Sequence, residues 1–168
     1  PGWPQSPATA RELWALIDSI CAHEPHLGVS ALVDHPDLSS YFRRHGGREG
    51  KHFGGGQGRF RVTEAAQRRM GCKPYSNFNL VGAAQVGKSS LSGMRLLHRL
   101  GDRASVWPVD GLPDRGPVIC EIYTTIAAMA AGRTASRSKM RSATEVDEAL
   151  VALGSAPSGL SGPLDDHT

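Results

Sequence analysis

The stretch at residues 82–90, GAAQVGKSS, has the residue types of a loop that binds nucleotide phosphates. Gly82 and Gly87, followed by Lys88 and Ser89, satisfy the pattern G-x-x-x-x-G-K-[ST]. In such a loop backbone N–H groups cradle the phosphates, and the lysine reaches the β and γ phosphates. The alternative is a tight strand-to-helix turn in which the glycines serve backbone geometry. In that case Lys88 and Ser89 could still meet a phosphate of nucleic acid at the start of the helix.

The residue that would hold magnesium in a nucleotide site is harder to assign. A P-loop ATPase needs an aspartate that holds magnesium at the end of another apolar strand. Asp110 ends the segment SVWPVD, which Pro108 restricts to a sheet edge or strand end. Glu121 falls inside the predicted strand PVICEIYT and not at its end. A P-loop nucleotide-binding protein therefore stays an open interpretation of this stretch beside the tight turn.

Positive charge is concentrated in one segment of the chain. The formal net charge is +3, yet residues 43–73 hold nine Lys and Arg against two Glu, which gives +7 there and −4 elsewhere. Such asymmetry can mark a surface that binds phosphates, whereas a solvated basic loop is the alternative. Aromatic residues within or beside this segment could stack on bases. The residues of interest are the cations Arg43, Arg44, Lys51 and Arg61 and the aromatics Tyr41, Phe42 and Phe53.

Apolar periodicity and capping residues predict alternating helices and strands, which is typical of an α/β domain. Thr9 with Glu12, and Ser142 with Glu145, have the spacing of capping boxes. Helices are predicted over 8–23, 37–44, 89–100, 124–131 and 143–153, and strands over 77–82, 105–110 and 117–124; residues 60–64 could form a short strand or begin a helix over 63–70.

Length and composition favour a single α/β domain over residues 1–168, with a flexible glycine-rich basic loop at 43–59 and a loop-like tail at 154–168. Three widely spaced cysteines are typical of a reducing compartment, which predicts a cytoplasmic protein. No apolar run approaches the roughly 20 residues that a membrane helix needs, so no membrane partner is expected.

The sequence contains five motifs in order: Arg61–Glu64, Phe78–Gly82, Val86–Met94, Trp107–Asp110 and Glu121–Tyr123. Together they resemble the family called domain of unknown function 429, whose members are predicted ribonuclease H-like nucleases. The resemblance covers about residues 60–132 well. Two positions depart mildly from the family pattern: WPVD replaces its WPFD, and EIYT replaces its E-[IV]-Y-P.

This resemblance implies a ribonuclease H-like mixed sheet flanked by helices, incomplete here because the first strand and the C-terminal helix of the family are missing at the two ends. It also implies Mg²⁺ or Mn²⁺ held by carboxylates that cut nucleic-acid phosphodiesters. Glu121 is the expected metal ligand, with Asp110 and Glu64 as further catalytic residues, and Asp165 and Asp166 as weaker candidates in the tail. This chain is expected to be inactive by itself, and a non-catalytic nucleic-acid-binding remnant is a third interpretation.

Overall fold

The computed structural model describes residues 6–82 and 86–161 and confirms a mixture of helices and strands. Of the described residues, 46% are helical and 8% lie in strands or bridges. The chain divides into two compact units, the first reaching Ala65 and including Pro74–Glu121, the second formed by Ala66–Lys73 and the chain from Ile122 onward. The α-helices are α1 Ala10–Ile20, α2 Ser30–Val33, α3 Val62–Arg69, α4 Val86–Leu100, α5 Thr124–Ala130 and α6 Ala143–Ala152, and the strands are β1 Arg43–Arg44, β2 Arg48–Glu49, β3 Ser105–Trp107 and β4 Val118–Cys120.

Helix α1 begins where its capping box predicts. The Thr9 hydroxyl accepts a hydrogen bond from the backbone N–H of Glu12 at 3.2 Å, and the Glu12 carboxylate accepts one from the Ala8 N–H at 2.8 Å. The helix ends at Ile20, three residues before the predicted end, because the chain turns between Cys21 and Glu24 ahead of Pro25. Local capping signals therefore fixed the start of the helix better than its end.

The core of the first unit lies where α1 packs against α4. Ile17 of α1 is 2% exposed, and Leu91 of α4 is also buried. Burial of one such side chain contributes about 1.5–3 kcal/mol. The buried cluster is completed by Cys21, Val29, Leu32, Phe42 and Leu80.

The strands are shorter than the sequence predicts, and the described residues form two sheets of two strands each. Strands β1 and β2 pair antiparallel, and β3 and β4 pair parallel with Trp107 opposite Cys120. The predicted strand 105–110 stops at Trp107 because Pro108 has no N–H to donate to a ladder. Strand β4 loses its partner at the same point, so Glu121 lies just beyond the strand and not in its middle.

The predicted strand at 77–82 is wrong, since only Asn79 forms a bridge, to Arg43. The segment turns on itself through a hydrogen bond from the Asn79 N–H to the Ser76 carbonyl at 3.0 Å. Residues 60–64 take the helical alternative, because α3 begins at Val62.

The glycine-rich basic segment is anchored to the first unit and does not run as a linker. Phe53 is completely buried. A side chain at Gly50 would collide with the backbone of Ser40, and one at Gly58 would collide with the Phe53 ring. These glycines allow the chain to approach its neighbours closely.

The second unit is built around α5 and α6, both of which lie within one residue of their predicted bounds. The Ser142 hydroxyl accepts from the Glu145 N–H at 3.2 Å, as the capping box predicts. The Glu145 carboxylate also binds Arg133 at 3.0 Å. Residues 154–161 of the tail contain no helix or strand, and no helix among the described residues has the length and apolar character needed to cross a bilayer.

Candidate phosphate-binding site

Residues 77–80 form the segment around which most of the predicted site residues gather, and we call it the central segment. Strand β1 lies beside it, since the Arg43 N–H donates to the Phe78 carbonyl at 3.0 Å and the Leu80 N–H donates to the Arg43 carbonyl at 2.9 Å. These two bonds place the cations of the β1–β2 hairpin next to the central segment.

The start of α4 also packs on the central segment. Gly87 is buried, and a Cβ atom there would collide with the Asn77 carbonyl and lie 2.8 Å from Leu80 Cδ2 and 2.9 Å from the Asn79 carbonyl. The second glycine of the phosphate-loop pattern therefore has a packing role. Lys88 and Ser89 follow it and are exposed on the first turn of the helix.

The remainder of that pattern is only partly described. Gly82 has φ of +116°, a backbone conformation that favours glycine. Residues 83–85 lie outside the described residues. The described residues directly before Gly82 form no strand, so the strand that both interpretations expect there is not observed.

Glu64 fastens the start of α3 to the central segment and is only 3% exposed. One carboxylate oxygen accepts from Arg61 Nε at 3.0 Å and from the Asn77 N–H at 3.1 Å. The other accepts from the Arg61 N–H at 2.8 Å. Three donors thus satisfy a buried carboxylate, which gives Glu64 a structural role that the sequence did not reveal.

The predicted phosphate-binding cations differ in whether a carboxylate already neutralises them. Arg43 lies 3.7 Å from Glu49, and Arg44 lies 3.0 Å from Asp34. Lys51, by contrast, is exposed and enters no ion pair within the described residues. Lys88 is likewise exposed and unpaired there.

Arg48 and Arg59 are two further arginines of the basic segment 43–73. Arg48 is exposed and lies directly opposite Arg44 in the hairpin register, and its Nε donates to the His45 carbonyl at 3.2 Å. Arg59 lies over the Tyr41 ring, 5.8 Å from its centroid. Sequence spacing could not separate these residues from the rest of the charged run.

Of the three aromatic residues predicted to stack on bases, only Tyr41 is accessible, so for that residue the stacking role stays a prediction. Phe42 and Phe53 are buried, so neither can stack on a base without leaving the core. Tyr41 is partly exposed and also lies 5.1 Å from the His52 ring.

Asp110 is held by a partner 99 residues away in the chain. Its two carboxylate oxygens accept from Arg11 Nε at 2.8 Å and Arg11 Nη2 at 2.7 Å, and one also accepts from the Val106 N–H at 2.7 Å. The Arg11 hydrogen bond, followed by the Val106 N–H, lowers the pKa of Asp110 below its ordinary value. Asp110 therefore ties α1 to the turn after β3.

Glu121 is exposed just beyond the end of β4, which corrects the expectation of a carboxylate inside a strand. It follows the carboxyl end of β4 as Asp110 follows that of the parallel neighbour β3. Within residues 6–82 and 86–161, no three His, Cys, Asp or Glu side chains lie close enough together to hold a metal ion. Asp165 and Asp166 lie outside the described residues.

Comparison with known proteins found no matching family model, curated protein or solved structure. The resemblance to domain of unknown function 429 therefore stays a prediction.

Proposed function

We propose that the first unit is a nucleic-acid-binding module that holds the phosphate backbone without cutting it. The observation that carries this proposal is the convergence of the β1–β2 hairpin and the start of α4 on the central segment. This arrangement presents Arg48, Lys51 and Lys88 as exposed cations without ion-pair partners among the described residues.

Cations of this kind favour phosphates for two physical reasons. Each one that neutralises a phosphate releases a condensed counterion from the nucleic acid, which makes binding favourable at low salt. At Lys88 the positive end of the α4 dipole adds to the side-chain charge.

The carboxylates do not fit a divalent-metal centre in the arrangement observed. Glu64 already accepts three hydrogen bonds, and Asp110 is paired with Arg11 through both oxygens. We therefore derive no catalytic step through a metal. The Mg²⁺ or Mn²⁺ cofactor, the ribonuclease H-like sheet and the cytoplasmic location stay predictions from the sequence.

The proposal is tested by removing charge at the site and, separately, elsewhere. In the site variant, Arg48, Lys51 and Lys88 are changed to Gln. In the control variant the same change is made at Arg115, Arg137 and Lys139, which are also exposed. Both variants lose three positive charges, so they have the same net charge.

We expect the site variant to weaken binding of a labelled oligonucleotide and to reduce the slope of log K against log salt by about two to three, because each lost phosphate contact reduces it by about 0.7–0.9. The control should keep nearly the full slope. Equal losses in the two variants would mean that only net charge matters, and the proposed site would be wrong.

The nucleotide interpretation of GAAQVGKSS is a separate candidate that rests on the position of Lys88 at the exposed start of α4. Calorimetry distinguishes it, because saturable binding of ATP or GTP that disappears in Lys88→Ala would favour a nucleotide over a nucleic-acid backbone.

A further inference from the structure

An apolar pocket of about 240 Å³ lies inside the first unit. Its walls come from α1, α2 and α4 and from two aromatic residues, Phe42 and Phe78. The pocket is partly open to solvent, and concave, mostly apolar pockets are the usual binding sites of small ligands. A pocket of this size beside α1 and α4 is therefore suited to an apolar ligand.

The pocket is not apolar throughout. Tyr41, Arg61 and Asn77 also line it. Arg61 and Asn77 lie on the same side, since both donate to the same oxygen of Glu64. A second cation lies beside another lining residue, because Arg59 lies over the Tyr41 ring at 5.8 Å from its centroid.

Arg61 keeps donors for a ligand although it is paired with Glu64. The ion pair uses Nε, and the two terminal nitrogens of a guanidinium carry four further N–H donors. Glu64 does not line the pocket and is 3% exposed, so its charge is directed to Arg61 and to the Asn77 N–H. The polar side of the pocket is therefore cationic and rich in donors.

We propose that this pocket binds a small amphiphilic anion, with an apolar chain between the helices and one carboxylate at Arg61. An alkyl carbon fills about the same volume as a water molecule, about 30 Å³, so the cavity accommodates a chain of about eight carbons. The proposal does not rest on nucleic-acid binding, and it uses Arg61 for a ligand inside the unit.

The first test compares two probes on the unmutated chain by calorimetry and by NMR shifts of the methyl groups of Leu91 and Met94. Octanoate carries the charge, and 1-octanol has the same chain without it. We expect both to bind at one saturable site and octanoate to bind about tenfold more tightly, because a charge-assisted hydrogen bond is stronger than a neutral one. Equal affinities would overturn the role of Arg61, and absence of saturable binding would overturn the pocket.

Two pairs of variants locate the site. Met94→Trp fills the pocket and should abolish binding of both probes, whereas Leu96→Trp lies on the same helix at an exposed position outside the pocket and should leave it unchanged. Arg61→Gln should remove the preference for octanoate while leaving octanol binding unchanged. Circular dichroism checks that each variant is folded. Octanoate binding that survives Met94→Trp in a folded chain would place the ligand elsewhere and contradict the proposal.

Discussion

Arg95 carries a full positive charge that is completely buried on α4, which is costly unless the charge is paired. Its Nε donates to Asp18 at 2.8 Å, and its Nη1 donates to the Gly28 carbonyl. Arg99 shares the same Asp18 oxygen at 3.0 Å. Burial of Asp18 would raise its pKa, but the hydrogen bonds from Arg95 and Arg99 together lower it below 3.8.

We predict that Asp18→Asn lowers the free energy of unfolding at pH 7 by about 2–3 kcal/mol, because a buried cation loses its countercharge while one acceptor remains. Urea denaturation followed by circular dichroism measures this. Asp102→Asn is the control, since Asp102 is fully exposed and lies 3.9 Å from its arginine. Similar losses in the two variants would contradict the assigned role of Asp18.

The ion pairs of Asp18 also predict how the stability of the fold depends on pH. The folded pKa of Asp18 lies below the ordinary 3.8, so its stabilisation is fully present above that pH and is lost as pH falls through the folded value. Stability of the unmutated chain should therefore decline more steeply than that of Asp18→Asn as the pH falls below about 4. Parallel declines would show that other carboxylates account for the acid sensitivity.

The position of Glu121 leads to a prediction about metal-dependent cleavage of nucleic acid. It is exposed at the end of β4, and no further carboxylates join it in a metal-binding group in the described part of the chain. We expect no cleavage of labelled DNA or RNA with Mg²⁺ or Mn²⁺ present, by the unmutated chain or by Glu121→Ala. A metal-dependent cut that Glu121→Ala abolishes would instead favour the nuclease chemistry implied by the family resemblance.

Helix α4 links the site to the core of the first unit. Its start lies on the central segment, and its middle packs against α1. Gly87 makes the close approach, whereas a Cβ atom at Gly93 of the same helix would meet nothing within 4 Å. The two glycines therefore form a matched pair.

We predict opposite effects for the same substitution in this pair. Gly87→Ala should lower the free energy of unfolding by about 1–3 kcal/mol, because the new methyl group collides with backbone that cannot easily move. Gly93→Ala should raise it by about 0.5–1 kcal/mol through helix propensity. Thermal and urea denaturation measure both. If Gly87→Ala were as stable as Gly93→Ala, the helix would not dock as described.

Elements specified by local signals were predictable from the sequence, and those specified by distant partners were not. The Thr9 and Ser142 caps and helix α5 depend on residues within one or two turns. The strand predicted at 77–82 failed because a strand exists only where another chain segment pairs with it. The site followed the same division: the charged run was visible, whereas Arg11 lies 99 residues from Asp110 and the Asn77 N–H lies 13 residues from Glu64.

At the scale of the whole molecule, the basic run at 43–73 is divided between the two units. Six of its cations lie before Ala65 and three after it. The predicted phosphate-binding surface is therefore assigned to the cations of the first unit alone. That unit carries the exposed cations at the hairpin and at the start of α4, which makes it the part of the protein to test for nucleic-acid binding.

The most direct test of the central claim is the salt dependence of binding by the unmutated chain. Anisotropy of a labelled oligonucleotide of about 20 nucleotides, single- or double-stranded, would be followed from about 50 to 200 mM salt. With at least Arg48, Lys51 and Lys88 on phosphates, log K should fall linearly with log salt with a slope of about −2 or steeper. Absence of binding at the lowest salt, or an affinity that salt does not change, would contradict the account.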